Sequence, residues 1–372
     1  MLLAYRSRHV VSVIIVGAGV IGLLSALNLS RYMDEVVLIE RDETGREASW
    51  AGGGIVSPLY PWRYTAEVTA LAHWSQDFYP AFGKTLLELT GLDPQVHTTG
   101  LYWLDLEDEA QALEWAKAAE RPLFSVPIDH VYRSVPPLGP GFERALYMED
   151  VANVRNPRLV KALRAALQTK SNVRIVERCA IKEVLCKQGC IQGVKTEQET
   201  FYSGQVVITA GAWSGELLET LGLKLPVEPV KGQMILYKCN EDFLPSIVMA
   251  KGRYAIPRKD GHILVGSTLE HAGFDKTPTA EALKSLKASA IELLPALANA
   301  EVVKHWAGLR PGSPKGVPFI GPVPGFKGLW LNCGHYRNGL VLAPASCQLL
   351  TDLMTGQRPI IDPAPYLPET RL

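Results

Sequence analysis

The sequence predicts an α/β protein in which a Rossmann-type parallel sheet carries an inserted, antiparallel β-sheet-rich domain. An apolar, β-branched segment at residues 11–16 precedes three glycines and a stretch with helical spacing, which is the start of a βαβ unit. Similar apolar strands return near the middle and at the end of the chain. Residues from about 226 to 318 read instead as short strands separated by turns.

The individual elements follow from the spacing of apolar residues. Strands are predicted at 11–16 and 35–40, whose runs of apolar residues are typical of strands buried on both faces of a parallel sheet. An amphipathic helix at 156–170 precedes a short strand, a β-meander and the apolar strand VVITA. Strands GQMILYKC, GRYAIPR and GHILVGST then flank one helix, and the chain ends with strand GLWLNCG and helix NGLVLAPASCQLLTDLM.

The glycines fit the spacing G-x-G-x-x-G. Gly17 permits a tight strand-to-helix turn, Gly19 lets the backbone approach a pyrophosphate, and Gly22 lets the helix pack closely on the sheet. Glu40 ends the next strand, where its carboxylate can accept hydrogen bonds from a ribose diol. This context favours dinucleotide binding over a tight turn without a ligand.

A second glycine cluster favours FAD over NAD. Residues 51–54 (AGGG) follow the acid, and small residues there let the backbone lie against a large flat cofactor. An NAD enzyme would continue with a short loop and another helix, whereas SPLYPWRY follows here. The alternative reading is a flexible loop without a ligand.

Segments spread over nearly the whole chain carry a resemblance to a known family. They are IIVGAGVIG, IERDETGREASWAGGGIVSP, VVITAGAWSG, PVKGQM, RYAIPRKDGHILVGSTLE, WAGLRPGSPKGVPFIG and GHYRNGLVLAPAS. The sequence resembles the D-amino-acid-oxidase-like flavoproteins, most closely the glycine oxidases associated with thiamine biosynthesis. We therefore expect a discontinuous FAD-binding domain over 1–85, 150–225 and 320–372, and a substrate-binding domain over 86–149 and 226–319.

The resemblance also implies which residues bind FAD. The glycine turn with Val20 and Ile21, and Glu40 with Arg41, would hold the nucleotide end, while the backbone of Val176 would meet the adenine. Residues expected along the pyrophosphate and flavin are Ala48, Ser49, Gly53, Gly54 and Ile55. Residues expected at the isoalloxazine ring are His335, Tyr336, Arg337, Asn338, Gly339, Leu340 and Val341, with a histidine satisfied inside its own turn as the alternative for His335.

The flavin is expected to be bound non-covalently. Cys333 does not occupy the stretch in which covalently flavinylated sarcosine oxidases carry their cysteine, and RPGSPKG in that stretch has none.

Two arginines and a tyrosine are the candidate substrate-binding and catalytic residues. Arg310 and Arg337 match the family's carboxylate-binding arginines, and Tyr254 matches a tyrosine of its substrate pocket. A planar guanidinium grips both oxygens of a carboxylate and fixes its orientation. Pocket positions that carry His and Met in a related glycine oxidase fall on Gly252 and Leu269, so the sequence does not rank glycine, sarcosine and small D-amino acids.

The resemblance implies oxidative deamination of glycine and other small amines, with a hydride passing from Cα to flavin N5 and hydrogen peroxide formed from dioxygen. This chemistry needs no general base, and the sequence offers neither an evident base nor a Ser-His-Asp triad. The N-terminus of the helix after Arg337 would stabilise negative charge on the flavin. The alternatives are a D-amino-acid dehydrogenase that reduces a quinone and a non-catalytic flavin-binding regulatory module.

Composition bears on partners and location. Lys+Arg and Asp+Glu both number 38, so net charge indicates neither a nucleic-acid nor a membrane-surface partner. The six cysteines form no CxxC pair, which predicts no metal site and fits a reducing cytoplasm. No signal peptide or long apolar run is evident. We expect a cytoplasmic enzyme whose partners are a small amine and dioxygen. Relatives are often homo-oligomers, a state that the sequence does not reveal.

Overall fold

The computed structural model describes residues 11–372, which form two compact units. Unit 1 comprises the described chain up to Ser49 together with Val160–Glu228 and Pro311–Leu372, and unit 2 comprises Trp50–Leu159 and Pro229–Arg310. Residues 50–85, which we predict to belong to the FAD-binding domain, group with unit 2. The predicted roles of the domains stay predictions. Residues 1–10, where the predicted FAD-binding domain begins and to which the signal-peptide expectation applies, lie outside the described residues.

Strands and helices are numbered separately along the chain. The strands are β1 (Val13–Val16), β2 (Val36–Ile39), β3 (His97–Thr98), β4 (Leu101–Leu104), β5 (Leu123–Val126), β6 (Ala145–Met148), β7 (Ala152–Asn153), β8 (Val173–Val176), β9 (Ile181–Lys187), β10 (Cys190–Thr196), β11 (Thr200–Tyr202), β12 (Val206–Ile208), β13 (Glu228–Lys238), β14 (Ile247–Ala250), β15 (Arg253–Pro257), β16 (His262–Gly266), β17 (Glu301–Gly312), β18 (Phe319–Pro322) and β19 (Leu329–Cys333). The helices are α1 (Val20–Leu29), α2 (Ala48–Ala51), α3 (Ala66–Gln76), α4 (Phe78–Thr90), α5 (Glu109–Ala118), α6 (Ile128–Ser134), α7 (Asn156–Gln168), α8 (Ser214–Glu219), α9 (Ala280–Leu293) and α10 (Gly339–Thr355).

Unit 1 contains a six-stranded sheet in the order β18-β19-β12-β1-β2-β8. Its strands are parallel except for β18, which runs antiparallel to β19. Every residue of β1 and β2 is buried, which explains why both segments are apolar throughout. A three-stranded antiparallel sheet, β11-β10-β9, also belongs to this unit.

Two helices of unit 1 begin just after parallel strands that share this sheet. Helix α1 follows β1 through the glycine turn, and α10 follows β19 through the HYRNG turn. The helices pack together, and the buried thiol of Cys347 in α10 donates a hydrogen bond to the carbonyl of Ile21 at 3.3 Å. Because the carboxyl ends of parallel strands meet at one edge of a sheet, both turns lie at that edge, where such sheets bind ligands.

Unit 2 contains an eight-stranded, mainly antiparallel sheet in the order β17-β13-β16-β15-β14-β4-β6-β5. In β13, Ile235 and Tyr237 pack into one apolar core together with residues of α9, whereas Met234 packs into a second core together with Trp62 and Trp103. Alternate residues of the strand thus face opposite cores, as the period of two requires. The two units together confirm the predicted α/β class with an antiparallel-rich part. Within residues 11–372, no helix has the length and apolar character that crossing a bilayer demands.

Candidate active site

The turn between β1 and α1 in unit 1 has no room for a side chain at Gly17 or Gly22. Gly17 has φ +105°, and a Cβ there would lie 2.8 Å from the carbonyl oxygen of Thr209. A Cβ on Gly22 would lie only 1.9 Å from the carbonyl oxygen of Gly17. Helix α1 therefore begins in direct contact with the turn, which places its first amides beside the strand end as pyrophosphate binding needs.

Glu40 and Ser49 both bind the backbone around this turn. Glu40 is buried, and its carboxylate accepts amide hydrogen bonds from Ala18 at 2.8 Å and Asp42 at 3.1 Å. Burial raises the pKa of Glu40, and these amides act in the opposite direction. Each carboxylate oxygen can accept a further bond, so a ribose hydroxyl fits. The Ser49 hydroxyl accepts a hydrogen bond from the amide of Val20 at 2.8 Å, so this hydroxyl lies at the N-terminus of α1.

Arg41 and Val176 lie close to Glu40 in the same unit. The guanidinium of Arg41 binds Glu47 at 2.7 Å and lies 3.7 Å above the centre of the Trp213 ring. The carbonyl of Val176 accepts the amide of Glu40 at 2.8 Å. The structure brings these predicted adenosine-side residues together, while their contacts with FAD stay predictions.

The HYRNG turn is held from inside. His335 is buried, and its Nε2 shares a hydrogen bond with the hydroxyl of Ser346 at 3.0 Å. Burial lowers the pKa of His335 to about 3, so the ring is neutral near pH 7. Tyr336 follows with φ +47°, which is unusual for a residue other than glycine. Arg337 lies in the short 3-10 turn Tyr336–Asn338 that leads into α10.

An unsatisfied donor in this turn supports the fit of a cofactor. The side-chain nitrogen of Asn338 is buried and has no hydrogen-bond partner among residues 11–372. Buried donors without a partner are costly, so a polar ligand atom is the natural acceptor. The side-chain donor of Asn338, the Gly17–Gly22 turn and Glu40 together give unit 1 the features that FAD binding requires.

Arg310 of unit 2 is fixed by neutral oxygens. Its Nη2 donates to the hydroxyl of Ser267 at 2.7 Å and its Nη1 to the carbonyl of Lys231 at 3.2 Å. A Cβ on Gly232 would lie 2.3 Å from both terminal nitrogens of the guanidinium. The guanidinium therefore lies directly over Gly232, where any side chain would displace it.

Tyr254 lies on the same face of the unit 2 sheet as the guanidinium of Arg310. The register pairs Gly266 with both Met234 and Tyr254, and a Cβ on Gly266 would lie 3.0 Å from the Tyr254 hydroxyl. Met234 and Gly232 are two residues apart on β13 and share one face. Hence Arg310, Met234 and Tyr254 share that face of the sheet.

Gly53, Gly54 and Ile55 also belong to unit 2. A Cβ on Gly53 would lie 3.4 Å from the ring of Tyr254, so the predicted flavin-binding glycines adjoin the predicted substrate tyrosine. Gly54 has φ +80°, and a Cβ there would lie 2.1 Å from the carbonyl oxygen of Val154. Ile55 forms an antiparallel bridge with Asn153, the residue before Val154.

Gly252 and Leu269, the two predicted pocket positions, are both exposed. Gly252 is the second residue of a two-residue hairpin turn, with Lys251 at φ +47° and Gly252 at φ +75°. Leu269 is 49% exposed. Sequence reasoning missed Ser267 and the glycines at 232 and 266; glycine inside a strand was the available signal, because it marks close approach of another group.

Comparison with known proteins decides the family. Residues 12–353 match the FAD dependent oxidoreductase family, DAO. The chain belongs to this family.

This FAD-dependent oxidoreductase is similar to two enzymes named glycine oxidase. It is 69% identical to that of Pseudomonas putida over 97% of this chain and 99% of the relative, and 66% identical to that of Pseudomonas aeruginosa over the same shares. The crystal structure of glycine oxidase from Geobacillus kaustophilus matches with a TM-score of 0.91 at 30% identity, over 97% of this chain and 98% of that chain. Membership of an oxidoreductase family does not favour the alternative of a non-catalytic module.

Proposed function

We propose that this FAD-dependent oxidoreductase deaminates glycine and other small amines that bear a carboxylate, such as sarcosine and small D-amino acids, with dioxygen as the electron acceptor. The products are hydrogen peroxide and the imine, which water hydrolyses to the oxo acid with release of ammonia or, from sarcosine, of methylamine. The observation that carries the proposal is the guanidinium of Arg310, which lies over Gly232 on the same sheet face as Tyr254. The similarity to enzymes named glycine oxidase over the whole chain supports it.

Arg310 is suited to hold the substrate carboxylate. Its bonds to Ser267 and to the carbonyl of Lys231 fix the plane of the guanidinium, so little conformational entropy remains to be lost on binding. Tyr254 is 5% exposed and can add a hydroxyl donor to the same carboxylate. We include Arg337 as the second carboxylate-binding arginine.

FAD supplies the acceptor for the hydride from the substrate Cα. The N-terminus of α10, which starts at Gly339, would stabilise negative charge on a flavin bound beside it. His335 contributes by holding the turn before α10 through Ser346 rather than by moving a proton, because its pKa of about 3 keeps it neutral. The reaction requires no general base from the chain when the amine binds uncharged.

The proposal extends to the setting of the reaction. A role in thiamine biosynthesis follows from the resemblance of the sequence, and we propose a cytoplasmic location, consistent with six free thiols. The partners would be a small amine and dioxygen.

The test is peroxide formation by the purified, FAD-loaded protein with a panel of glycine, sarcosine and small D-amino acids. Arg310→Ala should raise the KM for glycine roughly 10- to 100-fold, the equivalent of hydrogen bonds to a charged group. Arg337→Ala should act in the same direction, and FAD should stay bound in both variants.

Arg144→Ala is the control. Arg144 is exposed and pairs with Glu109 at the surface of unit 2, so its loss should leave KM unchanged. Normal glycine turnover by both Arg310→Ala and Arg337→Ala would show that the carboxylate assignment is wrong. Activity that requires a quinone instead of dioxygen would favour the dehydrogenase.

A further inference from the structure

Arg258 is a buried arginine that the chemistry above does not use. It directly follows β15, and its side chain is enclosed within unit 2. Nη1 donates hydrogen bonds to the Asn153 side-chain oxygen at 2.9 Å and to the carbonyl of Val154 at 3.0 Å. Nη2 donates to the carbonyl of Gly53 at 2.7 Å. One guanidinium thus joins the glycine cluster to a neighbouring segment of the chain.

The acceptors of Arg258 are all neutral. Among residues 11–372, no Asp or Glu oxygen lies within 4.0 Å of its guanidinium. Burial lowers the pKa of Arg258 to about 10, so the side chain still carries a positive charge at neutral pH. Asp260 favours this charge and Arg155 opposes it, but the hydrogen bonds of the guanidinium are with neutral oxygens, and a buried charge held in this way is expensive. The charge therefore calls for a function.

The hydrogen bonds of Arg258 fix the Gly53–Gly54 turn. The amide of Val154 donates to the carbonyl of Gly54 at 2.8 Å, so the backbone is held on that side as well. Gly54 has φ +80° and makes close contact with Val154, which leaves the turn little freedom. The guanidinium holds the preceding carbonyl, at Gly53. Both peptide groups of the turn consequently have fixed orientations.

We propose that Arg258 is a positioning residue that presents the Gly53–Gly54 turn to FAD, and that its buried charge favours the reduced, more negative cofactor. The charge acts over a distance because buried charges are screened little by salt. The inference rests on the proposed contact of Gly53 and Gly54 with FAD, and it does not depend on which amine is oxidised.

The experiment measures FAD binding and reduction in the absence of any amine. Folded apoprotein, checked by circular dichroism, is titrated with oxidised FAD, and the midpoint potential of the loaded protein is then determined. Arg258→Met should weaken binding of oxidised FAD at least about tenfold. It should weaken binding of reduced FAD about tenfold more, which is equivalent to a decrease of about 30 mV in the two-electron potential. Arg258→Lys keeps the charge, so it should bind FAD more weakly at an unchanged potential.

Arg144→Met is the control, since Arg144 is an exposed arginine of unit 2 that pairs with Glu109 at the surface. Its FAD affinity and potential should equal those of the unmodified protein. A folded Arg258→Met with FAD affinity within twofold of the unmodified protein, or with an unchanged potential, overturns the proposal. Failure of both Arg258 variants to fold would also overturn it, because the residue would then serve the fold alone. Absence of glycine oxidation would refute the proposed function and leave these two measurements intact.

Discussion

Replacing Gly232 by alanine should move the guanidinium of Arg310 without altering Arg310 itself. The new Cβ would lie 2.3 Å from Nη1 and Nη2 and 2.4 Å from Cζ, well inside van der Waals contact. The guanidinium ends a flexible side chain, so it can shift by about 1 Å while the sheet stays intact. A displacement of this size at a substrate-orienting group lowers the rate about 100-fold. That factor corresponds to about 2.7 kcal/mol of transition-state stabilisation.

The assay is steady-state peroxide formation with glycine, accompanied by the flavin absorbance of the same preparation. We expect kcat/KM to fall about 100-fold, in line with the displacement, with FAD content unchanged. Gly204→Ala serves as the control, because a Cβ there meets no atom within 4 Å and should change nothing. A Gly232→Ala variant whose kcat/KM stays within threefold would refute the reasoning, since the guanidinium would then not need its observed position.

Three further predictions concern other residues. Gly22→Ala forces a Cβ to within 1.9 Å of the Gly17 carbonyl oxygen. The purified variant should lose flavin absorbance, and a denaturant titration should show a loss of about 1–3 kcal/mol of stability. Normal flavin content would contradict this prediction. Ser267→Ala removes an acceptor of Arg310 and should lower kcat/KM for glycine roughly tenfold with FAD still bound, as measured by the peroxide assay; an unchanged kcat/KM would count against the contact. The pKa of His335 is about 3 in the folded protein and 6.5 ordinarily, so the unfolded chain takes up the proton first and stability falls as the pH drops from 6.5 towards 3. His335→Gln should remove up to about 1.4 kcal/mol per pH unit from that slope, as measured by urea titrations at several pH values. Equal slopes for the variant and the unmodified protein would exclude this effect.

The local parts of the fold could be predicted because their signals are contiguous. The apolar runs become β1 and β2, and the glycine spacing becomes the turn before α1, since each depends on neighbouring residues alone. Helix α4 could not be predicted in this way. It contains Pro80 in its first turn, where proline is tolerated, and Gly83, whose missing side chain leaves room for Val96.

The candidate site depends on contacts between distant parts of the chain. Arg310 and Ser267 are 43 positions apart, and Arg258 reaches Gly53 across 205 positions. No periodicity links such pairs, so the sequence indicated the arginine at 310 through resemblance and gave no sign of its serine partner. The positive φ of Tyr336 was equally hidden, because tyrosine does not mark a left-handed conformation.

The hairpin at Lys251 and Gly252 offers a place to lengthen the chain next to the predicted substrate tyrosine. Both residues are exposed, and a Cβ on Gly252 would meet open space. Surface hairpin tips tolerate insertions, and this one immediately precedes β15, the strand that carries Tyr254. Longer loops could therefore be grafted here and screened against a range of substrates, while Tyr254 keeps its support from β14 and β16.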